Sequence, residues 1–187
     1  MSQTYCQSAP GNPVHESYHD TEYGFPVEDE NALFERLVLE INQAGLSWAT
    51  ILRKRENFRK AYADFDVDTV AGFGAGDIAR LLSDAGIIRN RKKIDAAIEN
   101  ARRIIGLRES HGGFHAWLEG HHPRSHEEWT KLFRKTFVFT GPLVVEEFLL
   151  STGYLPGAHT ARCPVFARVM GAGPAWLRSG LDHIERP

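Results

Sequence analysis

Apolar positions along this chain recur with the period of a helix far more often than with that of a strand. Leu33, Leu37 and Ala44 fall at i, i+4 and i+11 on one helical stripe, and Glu40, at i+7, lies on the same stripe. Extending the same reading along the chain predicts helices at about 29–43, 47–62, 66–72, 76–84, 89–107, 113–119, 125–135, 141–152 and 162–170. Boundary residues agree with that division: Ser47, Asp66, Asp77 and Ser125 are suited to starting helices, and Gly45, Gly86 and Gly153 to stopping them. Alternating patterns are confined to short runs such as VFARVM and TFVFTG. The expected fold class is all-α, with residues 1–187 forming one domain of two helical lobes and 171–187 a C-terminal extension packed as a cap.

Glu40 is the misfit in the pattern. A carboxylate on an apolar stripe either reaches water at the helix margin, is buried beside an arginine, or serves a ligand. Its surroundings in sequence, LVLEINQAGLSW, add an aromatic, Trp48, but leave those three readings open.

The composition, 42% hydrophobic and 25% charged over 187 residues, is that of a globular protein with a real core. No apolar run approaches the ~20 residues of a membrane span, and MSQTYCQSAPGNP lacks the parts of a signal peptide, so a cytoplasmic protein with no membrane partner is expected. A net charge of −2 argues against general polyanion binding, yet three segments are basic. They are Arg53 to Lys60, Arg89 to Arg103, and Lys131 to Lys135, and they suggest a phosphate-facing side. Residues 109–128 hold five of the nine histidines, irregularly spaced and interrupted by Gly and Pro, which predicts an exposed connection in preference to a metal site.

The two cysteines, Cys6 and Cys163, exclude a disulfide framework and permit at most one bridge. Each also has histidine company. His159 and Cys163 are four apart, one face of a helical turn, and Cys6 is followed by His19 along an extended arm. Two sulfurs and two imidazoles suit a closed tetrahedral zinc site that would tie the chain ends together.

Cys6, YHDTEYGFP (18–26), LEINQAGLSW (39–48), ILRKRENFRKAYADFD (51–66), LLSDAGIIRNRKKIDAAIENAR (81–102) and the His159-x3-Cys163 pair together resemble the bacterial 3-methyladenine DNA glycosylase I family, over roughly residues 4 to 165. The resemblance implies a monomeric helix-hairpin-helix DNA repair enzyme that flips an alkylated purine out of double-stranded DNA and hydrolyses its N-glycosidic bond. It implies a structural zinc on Cys6, His19, His159 and Cys163. It implies a base pocket lined by Tyr18, Glu40 and Trp48, with Tyr23 in the place of a tryptophan, and Glu40 as the catalytic carboxylate. N3-methyladenine is cationic in DNA, so aromatic faces and a carboxylate would attract it by cation–π contact and hydrogen-bond acceptance.

The hairpin is placed at Phe137 to Gly141, before a helix opened by Pro142, where free amides can face a phosphate. DNA contacts are expected from Phe139, Thr140 and Gly141 there, and from Arg89, Arg91 and Lys92. Several positions depart from the family pattern: Ser8, His15, Tyr23, Val138 and Ala158. Related helix-hairpin-helix glycosylases carry an aspartate at about the position of Ala158, and alanine cannot act as a base. Two alternatives follow: a damaged-DNA-binding protein with little or no excision activity, and a glycosylase whose base specificity has shifted through His15 and Tyr23.

Overall fold

A computed structural model describes residues 4–178, and among them every regular element is helical. The helices are α1 (Tyr5–Ser8), α2 (Glu16–Thr21), α3 (Glu30–Gln43), α4 (Trp48–Ala61), α5 (Val67–Ala71), α6 (Ala75–Ser83), α7 (Arg91–His111), α8 (Phe114–His121), α9 (His126–Thr136), α10 (Pro142–Ser151) and α11 (Phe166–Gly171), with 3-10 turns at Ala63–Phe65 and Ala175–Arg178.

Helix α3 is the centre of the packing and touches α4, α5, α7, α8 and α10. Every residue from Leu33 to Asn42 is buried, so α3 is enclosed on all sides and has no solvent face opposite the predicted stripe. Ala44, expected on that stripe, is exposed, because the chain leaves the helix there and turns at Gly45 with φ +82. The neighbouring aromatics fill the space between helices: Phe114 stacks on Phe148 at 5.7 Å, and Trp117 meets Phe133 and Phe137 edge-on at 5.4 Å.

Most boundaries follow the predicted signals. Ser47, Asp66 and Ser125 each accept a hydrogen bond from an amide in the first turn of the helix they open. Asp77 instead sits inside α6, where its carboxylate accepts from the Gly74 amide at 3.1 Å. The helix expected at 162–170 begins only at Phe166, since Pro164 disfavours helical geometry at Cys163. His159 and Cys163 therefore lie on an irregular turn and not on a helix face. The expected exposed connection at 109–128 is also corrected: α7 runs on to His111, and α8 buries Phe114, Trp117 and Leu118. Helices α1 and α2, too short to show a period, were not predicted.

Helices α9 and α10 enclose a turn at 137–141. Asn100 of α7 clamps it at both faces of one residue, accepting from the Val138 amide at 2.8 Å and donating to the Val138 carbonyl at 3.1 Å. A second, smaller apolar cluster joins Cys6 and Phe25 to Cys163, Val165, Phe166 and Val169, so the two ends of the chain meet. Of the predicted extension, Trp176 is buried and Arg178 pairs with Glu119 at 2.7 Å, while 179–187 lie outside the described residues. Among the described residues no helix is long and apolar enough to cross a membrane.

Candidate functional site

Helices α1 to α4 and α10 converge on a cavity of about 520 Å³. The four predicted pocket residues, Tyr18, Tyr23, Glu40 and Trp48, all line it. Four aromatic rings form its walls: Tyr18 lies 5.1 Å from Trp48 and 5.9 Å from Tyr23, and Tyr5 meets Tyr23 edge-on at 5.2 Å. Tyr5, Gln43, Glu147 and Thr160 also line the cavity and were not picked out from the sequence. Ala158 stands in the wall too, so the position where an aspartate was looked for does face this space.

Tyr18 is set by charges outside the cavity. Arg36 donates a short hydrogen bond to its hydroxyl oxygen and a second, at 3.1 Å, to Glu22. Arg55 grips both oxygens of Glu22 at 2.6 and 2.7 Å and reaches Glu35 at 2.9 Å, and Arg59 binds Glu35 at 2.8 Å. The first basic segment is thus partly internal: Arg55 and Arg59 brace α4 against α3 and the end of α2, with their guanidiniums engaged by Glu22 and Glu35.

Glu40 has the opposite environment. It is 4% exposed, and its carboxyl makes no hydrogen bond or ion pair among the described residues. Burial, reinforced by the neighbouring Glu147 and only partly offset by Arg36, raises its pKa to about 8. The acid is therefore mainly neutral at pH 7 and gains charge readily when a cation or a hydrogen-bond donor arrives.

Beside the cavity, one ligand atom from each of Cys6, His19, His159 and Cys163 lies within 4.8 Å of all the others. Cys163 Sγ is 3.5 Å from His159 Nδ1 and 3.7 Å from His19 Nε2, and Cys6 Sγ is 3.6 Å from His159 Nδ1. A tetrahedral ion with bonds of about 2.3 Å to sulfur and about 2.05 Å to nitrogen would separate such atoms by about 3.6 Å. The remaining ring nitrogens are fixed by acceptors: His159 Nε2 donates to the Tyr23 carbonyl at 2.7 Å, and His19 Nδ1 to Asp20 at 2.6 Å. Each ring thereby presents its other nitrogen to the sulfurs, the orientation a metal site requires. Gly24 makes this approach possible. It has φ +83, and a Cβ there would meet the Ala158 Cβ at 2.8 Å.

At the hairpin, Phe139 is 41% exposed with φ +63, and Gly141 and Pro142 open α10. The amides of Phe139, Thr140 and Gly141 donate to no protein acceptor among the described residues. Thr140 is buried, and its hydroxyl donates to the Phe137 carbonyl at 3.4 Å, so only its backbone can face outward. Arg89 and Lys92 are exposed and make no ion pair among the described residues, whereas Arg91 is held by Asp95 at 2.9 Å. Lys93, beside them, is buried and ties α7 to the end of α3 by donating to the carbonyls of Asn42 and Ala44.

The second helix of the hairpin, α10, carries Glu147 into the cavity wall, so the turn and the cavity form one unit. A turn with free amides joined to an aromatic pocket is an arrangement suited to a phosphate at the turn and a flat aromatic ligand in the pocket. The family model described as Methyladenine glycosylase matches residues 7–131. DNA-3-methyladenine glycosylase of Haemophilus influenzae is 33% identical over 180 residues, 86% of this chain and 97% of that protein. DNA-3-methyladenine glycosylase 1 of Escherichia coli K12 is 46% identical over 105 residues, and this match spans 56% of each chain. Among solved structures, a variant of 3-methyladenine DNA glycosylase I in complex with 3-methyladenine superposes with a TM-score of 0.78 at 31% identity, covering 87% of this chain and 97% of that one. The Staphylococcus aureus enzyme gives 0.78 at 32% identity, covering 86% and 95%. The chain belongs to the methyladenine glycosylase family.

Proposed function

We propose that the protein is a monofunctional DNA N-glycosylase of base-excision repair that hydrolyses 3-methyladenine from alkylated double-stranded DNA. The observation that carries this reading is the cavity itself: four aromatic rings around a buried carboxyl that has no protein partner among the described residues. A flipped N3-methylated adenine carries positive charge, stacks against the rings and offers N–H groups to Glu40. Its charge draws Glu40 into the ionised form.

Water then adds to the sugar C1′ as the bond from C1′ to the base nitrogen breaks. The bonding electrons go to the base, which leaves neutral, and the water loses a proton. Because the leaving group is already cationic, the barrier is low and binding with flipping supplies most of what the reaction needs. A neutral lesion must instead depart as an anion or be protonated, help worth about 10²–10⁴ in rate, and Ala158 supplies none. DNA is held as a monomer's substrate by the exposed Arg89 and Lys92, by Arg91 once released from Asp95, and by the amides of Phe139, Thr140 and Gly141.

Zinc fits the cluster of Cys6, His19, His159 and Cys163, since two thiolates and two imidazoles at these separations match its tetrahedral preference. With all four positions filled by protein, its part is structural: it ties α1 and α2 to the 159–163 turn and so fixes Tyr18 and Tyr23. Metal analysis of purified protein is expected to find one zinc per chain.

Incubation with methylated duplex DNA and identification of the freed bases tests the proposal. Release of 3-methyladenine is expected, with no efficient release of hypoxanthine or uracil. Binding without release would establish a damage-binding protein instead, and release of a different base would establish a shifted specificity.

A further inference from the structure

Two carboxylates line the cavity, and only one of them is accounted for above. Glu147 stands in the same wall as Glu40, from a different helix, and Tyr23 Oη donates to its Oε2 at 3.4 Å. Among the described residues no lysine, arginine or histidine lines the cavity. Arg36, which acts on Glu40 from outside the cavity, is engaged with Tyr18 and Glu22. A cavity built this way repels anions and solvates a neutral purine poorly. Its rings and both acids act in the same sense on a cation.

We propose that Glu147 is a specificity-determining residue of the base pocket, a second carboxylate held in place by Tyr23, which makes the pocket select positively charged alkylated purines over neutral ones of the same shape. The inference rests on the cavity being the base pocket. Glu147 is felt at Glu40, where it adds to burial in raising that acid. Two acids facing one cavity oppose each other's ionisation, and an entering cation relieves that opposition. Glu147 sits with Glu146 in the middle of PLVVEEFLLS, and both are half-buried.

The test compares two small probes on the full chain. 3,9-Dimethyladeninium carries a fixed positive charge and mimics the base while joined to its sugar. 3-Methyladenine, above its own protonation, is a neutral molecule of nearly the same shape. Dissociation constants are measured for the wild type, Glu147→Gln and Glu147→Asp, with thermal melts as a check on folding.

Glu147→Gln is expected to lower the preference for the cation by about tenfold, the effect of one carboxylate across a pocket of intermediate dielectric. Glu147→Asp keeps the charge and should retain most of the preference. An unchanged ratio in a folded Glu147→Gln protein overturns the inference, as does an equal loss for both probes, which would mark a purely structural role. Should Glu147→Gln fail to fold, a Glu147→Asp protein that binds both probes equally overturns it as well. Wild-type behaviour separates the two questions: if the wild type binds neither probe, the reading of the pocket fails, and if it binds them, only the role of Glu147 is at stake.

Discussion

Helix α3 buries two glutamates five residues apart, Glu35 at 7% exposure and Glu40 at 4%, and treats them in opposite ways. At Glu35, burial favours the neutral acid, but the guanidiniums of Arg55 and Arg59 outweigh it and hold the carboxyl below the ordinary value. At Glu40, burial acts in the same direction, the nearby Glu147 adds to it, and Arg36 offsets it only in part. One glutamate is a member of a brace between helices. The other is a charge withheld until a ligand completes its surroundings. Burial alone thus says little about the role of an acid, and the partners on the adjoining helices decide it.

The largest expected effect comes from breaking the brace. Glu35→Gln leaves Arg59 with only the exposed Glu56 and weakens the hold on Arg55, which should cost about 3 kcal/mol in chemical denaturation. Glu40→Gln, by contrast, removes an acid without a partner, whose retained proton already costs stability at pH 7, and should raise stability there by up to a few kcal/mol. If both variants lose stability to the same extent, the two sites are not different in kind.

The comparison is reversed for activity. Glu40→Gln keeps the shape of the pocket but cannot become charged, so release of 3-methyladenine should fall about 10- to 100-fold, the worth of a hydrogen bond to a charged group. A folded Glu35→Gln protein should retain the wild-type rate within about threefold at a temperature where it is native. Single-turnover release from methylated DNA measures both. Unchanged release by Glu40→Gln would remove Glu40 from the site.

Glu40 was legible in the sequence because a charged residue stood on an apolar period, and the Cys6, His19, His159 and Cys163 cluster because the chain has only two cysteines and each has a histidine within reach along the sequence. Glu35 was not singled out. Its partners lie 20 and 24 residues away on α4, and only the antiparallel packing of α3 and α4 brings them together. For the same reason Arg55 and Arg59 read as part of a phosphate-facing basic run. Tyr5 and Glu147 were missed: Tyr5 adjoins a predicted metal ligand but lies on a helix too short to show a period, and Glu147 stands beside Glu146, a pair that reads as the solvated side of its helix. The long helices were legible from their period and caps. The turn holding His159 and Cys163 was not, because its geometry comes from Pro164 and from contacts with the other end of the chain.

The two glutamates should also leave separate marks on the pH dependence of stability. Glu35, whose folded pKa is depressed, adds stability that is present above its unfolded value and is lost as pH falls through the folded one, so its limb lies below about 4.5. Glu40 is raised from 4.5 to about 8, so between those values the native state holds a proton that the unfolded chain has released. Stability must then fall as pH rises across that window and level off above it, by an amount on the order of a few kcal/mol. Glu40→Gln should flatten this alkaline limb and leave the acid limb intact, and Glu35→Gln should do the reverse. Urea unfolding at a series of pH values reads both slopes, and an alkaline limb that survives in Glu40→Gln would assign it to another group.

The smallest effect concerns the outer face, where the contrast between braced and unbraced charge recurs among the arginines. Arg89 and Lys92 make no ion pair among the described residues, and Arg91 must give up Asp95 before it can serve a phosphate. An exposed pair of that kind contributes only about 0–1 kcal/mol, so its exchange for a phosphate is nearly neutral. Neutralising Arg89 and Lys92 together should weaken binding to undamaged duplex several-fold at moderate salt. It should also lower the slope of log affinity against log salt by about 2, one for each lost phosphate contact. Arg91→Ala should change both less than either of the other two, and Asp95→Asn, which frees Arg91, should strengthen binding slightly. Loss that depended on DNA sequence would mean that these side chains read bases, and a salt slope unchanged in the double variant would place the phosphate-facing side elsewhere on the molecule.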